Sequence, residues 1–130
     1  MENKPLNKTL LIVEDDSSLL LALSDRFADE GFKIIQAKNG EEGLELAIKR
    51  HPDLILLDII MPKMDGITML KKMREDAWGK HAPVIILTNL SVDDKVLNDI
   101  SKTEPSYYLV KTDWNIEAVV KKVKDRLGIL

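Results

Sequence analysis

Three carboxylates stand side by side in this sequence, Glu14-Asp15-Asp16, directly after the apolar run Leu10-Leu11-Ile12-Val13. Like charges about 4 Å apart repel by roughly 1 kcal/mol even in water, and by more where water is excluded. A buried strand that ends in such a cluster calls for a positive partner at the same place. Further along, Asp58 closes the run Leu54-Ile55-Leu56-Leu57, the hydroxyl of Thr88 closes Val84-Ile85-Ile86-Leu87, and the ammonium of Lys111 closes Tyr107-Tyr108-Leu109-Val110. A hard divalent cation such as Mg2+ takes carboxylate, carbonyl and water oxygens and usually keeps several waters. Taken singly, each residue has an ordinary role: acids ahead of a helix favour its dipole and can cap it, an aspartate can solvate a loop, and a threonine or lysine after a strand is unremarkable. Their joint position at strand ends is what points to a metal site.

These groups meet only if separate strand ends lie together. Short apolar runs over residues 9–13, 32–37, 54–57, 84–87 and 107–110 alternate with longer stretches whose apolar residues recur at helical spacing. Most of the short runs show no apolar/polar alternation, as expected of parallel strands buried on both faces. The helical stripes are Leu19, Leu20, Leu23 and Phe27; Leu44, Ala47 and Ile48; Ile67, Leu70 and Met73; Val92, Val96 and Ile100; and Ile116, Val119, Val120, Val123 and Leu127. Gly31 follows the first stripe, Pro52 the second, Asp65-Gly66 turns into the third, and Ser91 with Asp94 resembles a capping box for the fourth. Five strand–helix repeats predict an α/β fold: a doubly wound five-stranded parallel sheet, flavodoxin-like, of strand order 2-1-3-4-5, with five helices. Such sheets bind ligands beyond the carboxyl ends of their strands, near the switch point between the first and third. The second strand ends in Ala37-Lys38 and adds no chemistry.

Composition narrows the function classes. With 130 residues, 45% of them hydrophobic, the chain suits one domain with its own core. The absence of cysteine removes disulfides, thiolate metal sites and thiol nucleophiles, and a reducing, cytoplasmic compartment is compatible with it. A net charge of −3, with acids and bases interleaved, offers no electrostatic footprint for direct nucleic-acid binding. No apolar run approaches the roughly 18 residues needed to span a bilayer, so no membrane insertion is expected. Residues 1–7 are expected to form an N-terminal tail and residues 8–130 the domain. His51 and His81 lack metal-ligand spacing, and Trp78 and Trp114 suit packing or surface anchoring better than stacking platforms.

The stretches "LLIVEDD", "PDLILLDIIMPKMDG", "PVIILT" and "YYLVK", in that order, carry a resemblance to the receiver domain of bacterial-type two-component response regulators, from about Lys8 to Leu127. The resemblance implies a signalling switch, not a conventional enzyme, that accepts a phosphoryl group on Asp58 from a sensor histidine kinase or phosphotransfer protein and passes the signal to a downstream protein effector. Glu14 and Asp15 match the family's acidic pair, with Asp15 the direct metal ligand, and Asp16 falls just outside it, in a capping role. Asp58 is the implied phosphoacceptor, Thr88 the switch hydroxyl, Lys111 the lysine, and Tyr108 the aromatic switch position. The implied Mg2+ ligands are Asp15, Asp58 and the backbone carbonyl of Ile60, with Glu14 beside them, leaving about three waters on the ion. The switching surface is expected from the fourth helix, the last strand and the last helix. The chain is read as a stand-alone, single-domain regulator or as a piece of a longer one.

The chain departs from the family pattern in three places. Lys111-Thr112 stands where many receivers have Lys-Pro, and with no proline a trans bond is expected, since a cis bond there costs about 2.5–4 kcal/mol. "SKTEPS" precedes Tyr107 in place of a Gly-Ala turn, and Asn89 follows Thr88 where relatives carry a small residue. None of these removes a reacting group. Two other functions compete. A phosphatase of the haloacid dehalogenase class would need a second aspartate two residues after the first, where this chain has Ile60. A receiver-like interaction module that no longer cycles phosphate would keep the fold, and a Mg2+-dependent phosphorylation assay separates it from the switch.

Overall fold

The computed structural model describes residues 6–59, 61, 63–88, 107–110 and 115–129. Strands β1 (Thr9–Val13), β2 (Lys33–Ala37), β3 (Leu54–Asp58), β4 (Val84–Thr88) and β5 (Tyr107–Val110) form one parallel sheet in the order β2-β1-β3-β4-β5. Helices α1 (Ser17–Asp29), α2 (Gly40–Arg50), α3 (Gly66–Arg74) and α4 (Ile116–Leu127) are described with it. The helix expected around Val92, Val96 and Ile100, with its Ser91 and Asp94 cap, lies outside the described residues.

The apolar runs lack alternation because both faces of the sheet are covered. Successive strand side chains point to opposite faces. Leu10, Ile12, Leu54, Leu56, Ile85 and Leu87 pack with α1 and α4 through Leu23, Phe27 and Val119. Leu11, Val13, Ile55, Leu57, Val84 and Ile86 pack with α2 and α3 through Ala47, Leu70 and Met73. The edge strand β2 is the exception, with Ile34 and Ile35 only partly buried and Lys33 and Gln36 exposed. It begins at Lys33 and not at Phe32, because the Phe32 N–H is already donated to the Phe27 carbonyl at 3.2 Å while Lys33 opens the ladder opposite Thr9.

Side-chain caps set the helix starts. Asp16 accepts from the N–H groups of Ser18 (3.0 Å) and Leu19 (3.1 Å), so the third acid of the cluster caps α1. Asn39, Asp65 and Asn115 cap α2, α3 and α4 in the same way. His51 ends α2 in the left-handed region (φ 48°) and its ring lies against Trp78, centroids 4.5 Å apart and planes 3° from parallel. Trp78 packs against the core, His51 and His81 are exposed, and Trp114 lies outside the described residues. At the far side of the sheet, Arg26 donates to both carboxylate oxygens of Glu117 (2.9 and 3.0 Å) and to Glu30 (2.6 Å), tying α1 to α4. Hydrogen bonds from Lys124 and then from Arg26 hold the Glu30 carboxyl below the usual range. Leu6 donates its N–H to the Gly31 carbonyl at 3.2 Å, and residues 1–5 lie outside the described residues. Among the described residues, no helix is long and apolar enough to cross a membrane.

Candidate functional site

The ladder puts β1 beside β3, pairing Val13 with Leu57, so the next residue on each strand, Glu14 and Asp58, emerges at the same place. The Glu14 N–H continues β1 by one bond, to the Ala37 carbonyl of β2 at 3.0 Å. Glu14 and Asp58 are buried, at 3% and 6% exposure, whereas Asp15 faces solvent. One carboxylate oxygen from each of Glu14, Asp15 and Asp58 lies within 4.8 Å of the others. Asp16 does not join them, because its carboxylate is turned onto the first turn of α1.

Backbone donors orient two of the three carboxylates. The Ile59 N–H donates to Asp58 Oδ1 at 2.9 Å, and the Asp15 N–H to Glu14 Oε2 at 3.2 Å. Asp58 belongs to the ladder opposite Leu87, which places Thr88 one residue beyond on the neighbouring strand. Thr88 in turn lies opposite Val110, the residue before Lys111, and Tyr108 pairs with Ile86. Lys111, Thr112, Ile60, Asn89 and Leu90, with the segment before Tyr107, lie outside the described residues.

Gly66 was legible in the sequence only as part of a turn, and the packing gives it a second role. Its N–H donates to the Ile59 carbonyl at 2.7 Å, and a Cβ at this position would lie 2.1 Å from the Asp58 carbonyl oxygen. The start of α3 therefore rests directly on the backbone of Asp58. The signal available was the Asp65-Gly66 pair, which does not say which backbone the glycine must approach.

The donor set suits a hard, oxygen-loving ion. The cluster contains carboxylates and neither imidazole nor thiolate, which favours Mg2+ over zinc or copper. Two buried carboxylates and one exposed one leave the ion a route from solvent. A divalent cation among them would offset their mutual repulsion.

The chain belongs to the response regulator receiver family. The family's receiver-domain profile matches residues 10–124. The chain is 40% identical over 83 residues to sporulation initiation phosphotransferase F of Bacillus subtilis, covering 64% of this chain and 65% of that one. It is 38% identical over 93 residues to the alkaline phosphatase synthesis transcriptional regulatory protein PhoP of the same organism, covering 71% of this chain but only 38% of that protein. With the DNA-binding dual master transcriptional regulator RpaA of Synechocystis it shares 33% identity over 88% of this chain and 47% of the relative, so it spans less than half of either transcriptional regulator. Among solved structures, the CheX–CheY–BeF3–Mg2+ complex from Borrelia burgdorferi matches with TM-score 0.81 and 32% identity, over 92% of this chain and 89% of the matched one. A CheY-like receiver domain from Methanospirillum hungatei matches with TM-score 0.85 and 25% identity, over 93% and 94%. Receiver domains of two-component systems are signalling switches with an acidic Mg2+ pocket.

Proposed function

We propose that this chain is a phosphorylation-activated switch that takes a phosphoryl group on Asp58 from a phosphohistidine of a sensor kinase or phosphotransfer protein and then changes the face it offers a protein effector. The observation that carries this is the convergence of Glu14, Asp15 and Asp58 within 4.8 Å at the switch point of the sheet. Mg2+ would be held by Asp15, Asp58 and the Ile60 carbonyl with Glu14 alongside, and supplies positive charge for the phosphoryl oxygens. The Asp58 carboxylate attacks phosphorus in line, a P–O bond forms as the donor's P–N bond breaks, and the imidazole nitrogen leaves with the electron pair. The Ile59 N–H on Oδ1 fixes the orientation of the attacking carboxylate. Lys111 offsets charge on the transferring group, and the Thr88 hydroxyl then binds a phosphoryl oxygen and draws its loop inward. Tyr108 turns into the space this vacates, and the surface around β5 and α4 changes. Catalysis here is confined to the protein's own phosphorylation and dephosphorylation. The net charge of −3 favours protein over nucleic acid as the direct partner, and a cytoplasmic site of action fits the cysteine-free composition.

The test is incubation with a small-molecule phosphodonor with and without Mg2+. One base-labile acyl phosphate per chain, formed only with Mg2+, is expected; no labelling would favour the interaction module that does not cycle phosphate. Asp15→Asn is expected to weaken Mg2+ binding by about 10-fold or more and to slow labelling with it. Unchanged affinity by calorimetry would remove Asp15 from the ligand set.

The lifetime of the phosphorylated state follows from two further positions. In this family the residues two after the acceptor and two after the hydroxyl flank the path of the attacking water, and here they are Ile60 and Leu90. Apolar side chains cannot orient that water by hydrogen bonding, so slow loss of phosphate is expected. The Ile60→Asn, Leu90→Glu double variant should lose phosphate at least about 10-fold faster after donor removal. Equal decay rates would show that these positions do not govern hydrolysis.

A further inference from the structure

We propose that Gly40, the first residue of α2, is a positioning residue for the phosphoacceptor loop, holding the connection between β3 and α3 in the shape that the acidic cluster needs. This deepens the proposed function and rests on it. The Gly40 N–H donates to the Met64 carbonyl at 3.0 Å, a backbone contact between two elements that are not neighbours in sequence. The approach is closed to any other residue: a Cβ on Gly40 would lie 2.2 Å from the Met64 oxygen and 2.9 Å from its carbonyl carbon. A collision with backbone atoms cannot be relieved by rotating a side chain.

The connection that Gly40 grips needs external support. Lys63, next to Met64, stands in the left-handed region with φ 68°, a conformation that a residue with a Cβ adopts only at a cost. Strained backbone of this kind persists where surrounding contacts over-determine it. Gly66 closes one end of the connection onto Ile59, and the Gly40 N–H holds its corner at Met64. The gripping turn is itself well defined, because Asn39 caps it by accepting from the Glu42 N–H at 2.8 Å. One turn later, Gly43 lies against Val13, the residue before Glu14, where a Cβ would come within 2.9 Å of Cγ2. Helix α2 thus touches the chain one residue before the acidic pair, at Val13, and six residues after the acceptor, at Met64. It sets the spacing of Asp58 against Glu14 and Asp15 without contacting phosphate or ion.

A matched pair of substitutions separates this role from plain destabilisation. Gly79 meets the Met73 carbonyl oxygen as closely as Gly40 meets Met64, its Cβ falling 2.1 Å away, but it lies in the connection leading into the opposite end of the sheet. Gly40→Ala and Gly79→Ala should lower the melting temperature comparably. Only Gly40→Ala should also weaken Mg2+ binding and slow labelling from a small-molecule phosphodonor, by about 10-fold as for loss of a supporting contact at a metal site. Asn39→Ala loosens the same turn without any collision and should shift both readouts the same way by at least about twofold, which keeps the test open if Gly40→Ala does not fold. Parent-like Mg2+ affinity and labelling in Gly40→Ala, equal losses in the two glycine variants, or parent-like behaviour of Asn39→Ala with Gly40→Ala unfolded would overturn the positioning role. A parent that neither binds Mg2+ nor labels would overturn the proposed function and this role together.

Discussion

Asp58→Asn abolishes phosphorylation: with Mg2+ and a small-molecule phosphodonor, the variant is expected to show labelling at background while the parent gains one phosphoryl group. A carboxamide oxygen is a poor nucleophile and carries no charge, so the variant lacks both the attacking group and one of three carboxylates around the ion. The fold should survive, because the introduced asparagine has nearly the same shape as Asp58 and its Oδ1 can still accept the Ile59 N–H, which donates at 2.9 Å in the parent. The ladder bonds opposite Leu87 involve backbone only. Mass spectrometry of the intact chain and a thermal melt read the two outcomes together. Weaker Mg2+ binding alone would slow labelling, so the acceptor is also mapped in the parent by peptide analysis after reductive trapping of the acyl phosphate. Stable uptake by a folded Asp58→Asn chain, or a trapped peptide lacking residue 58, would move the acceptor elsewhere, with exposed Asp15 the first to examine.

The second large effect is expected from Gly66→Ala. Its Cβ would lie 2.1 Å from the Asp58 carbonyl oxygen and 3.0 Å from the Asp58 carbonyl carbon and Ile59 Cα, so either α3 or the end of β3 must move. Forcing extra atoms into well-packed structure costs about 1–3 kcal/mol, and a backbone collision belongs at the upper end. For a chain of 130 residues, about 3 kcal/mol is a drop in melting temperature of roughly 10 °C. The displaced atoms include the backbone of the acceptor, so labelling of the molecules still folded should slow as well. A variant that melts within a degree or two of the parent would show that the turn accommodates a methyl group and that Gly66 is not required there.

Much of the site was legible because its chemistry sits at positions with a local signature. An apolar run without alternation marks a strand buried on both faces, and the first polar residue after it marks the strand's carboxyl end; Glu14, Asp58 and Thr88 all emerged in this way, and the structure places them at adjoining strand ends. Asp58 is the last residue of β3, as read from the strand ends, and its backbone remains in the ladder with β4. Asp16 was set apart from its two neighbours only by the receiver resemblance, whose acidic pair it falls outside; the structure then turns its carboxylate onto the Ser18 and Leu19 N–H groups as a cap. The stacking of His51 on Trp78 had no such signature, as it depends on a partner far away in sequence.

The sequence by itself determined the fold class, through the spacing of its apolar residues, and which polar groups end the strands, through the residue types that follow each apolar run. Periodicity and capping are read over a few residues, within the reach of one helical turn or one pleat. Tertiary structure decided which of those groups meet. Glu14 and Asp58 become neighbours only because β1 pairs with β3, a long-range choice made by burying both faces of the sheet at once. The same packing brings Gly66 against the Asp58 carbonyl and Gly40 against that of Met64, contacts possible only where no Cβ intervenes. A glycine in a sequence permits a close approach, and only the assembled layers determine which backbone comes close.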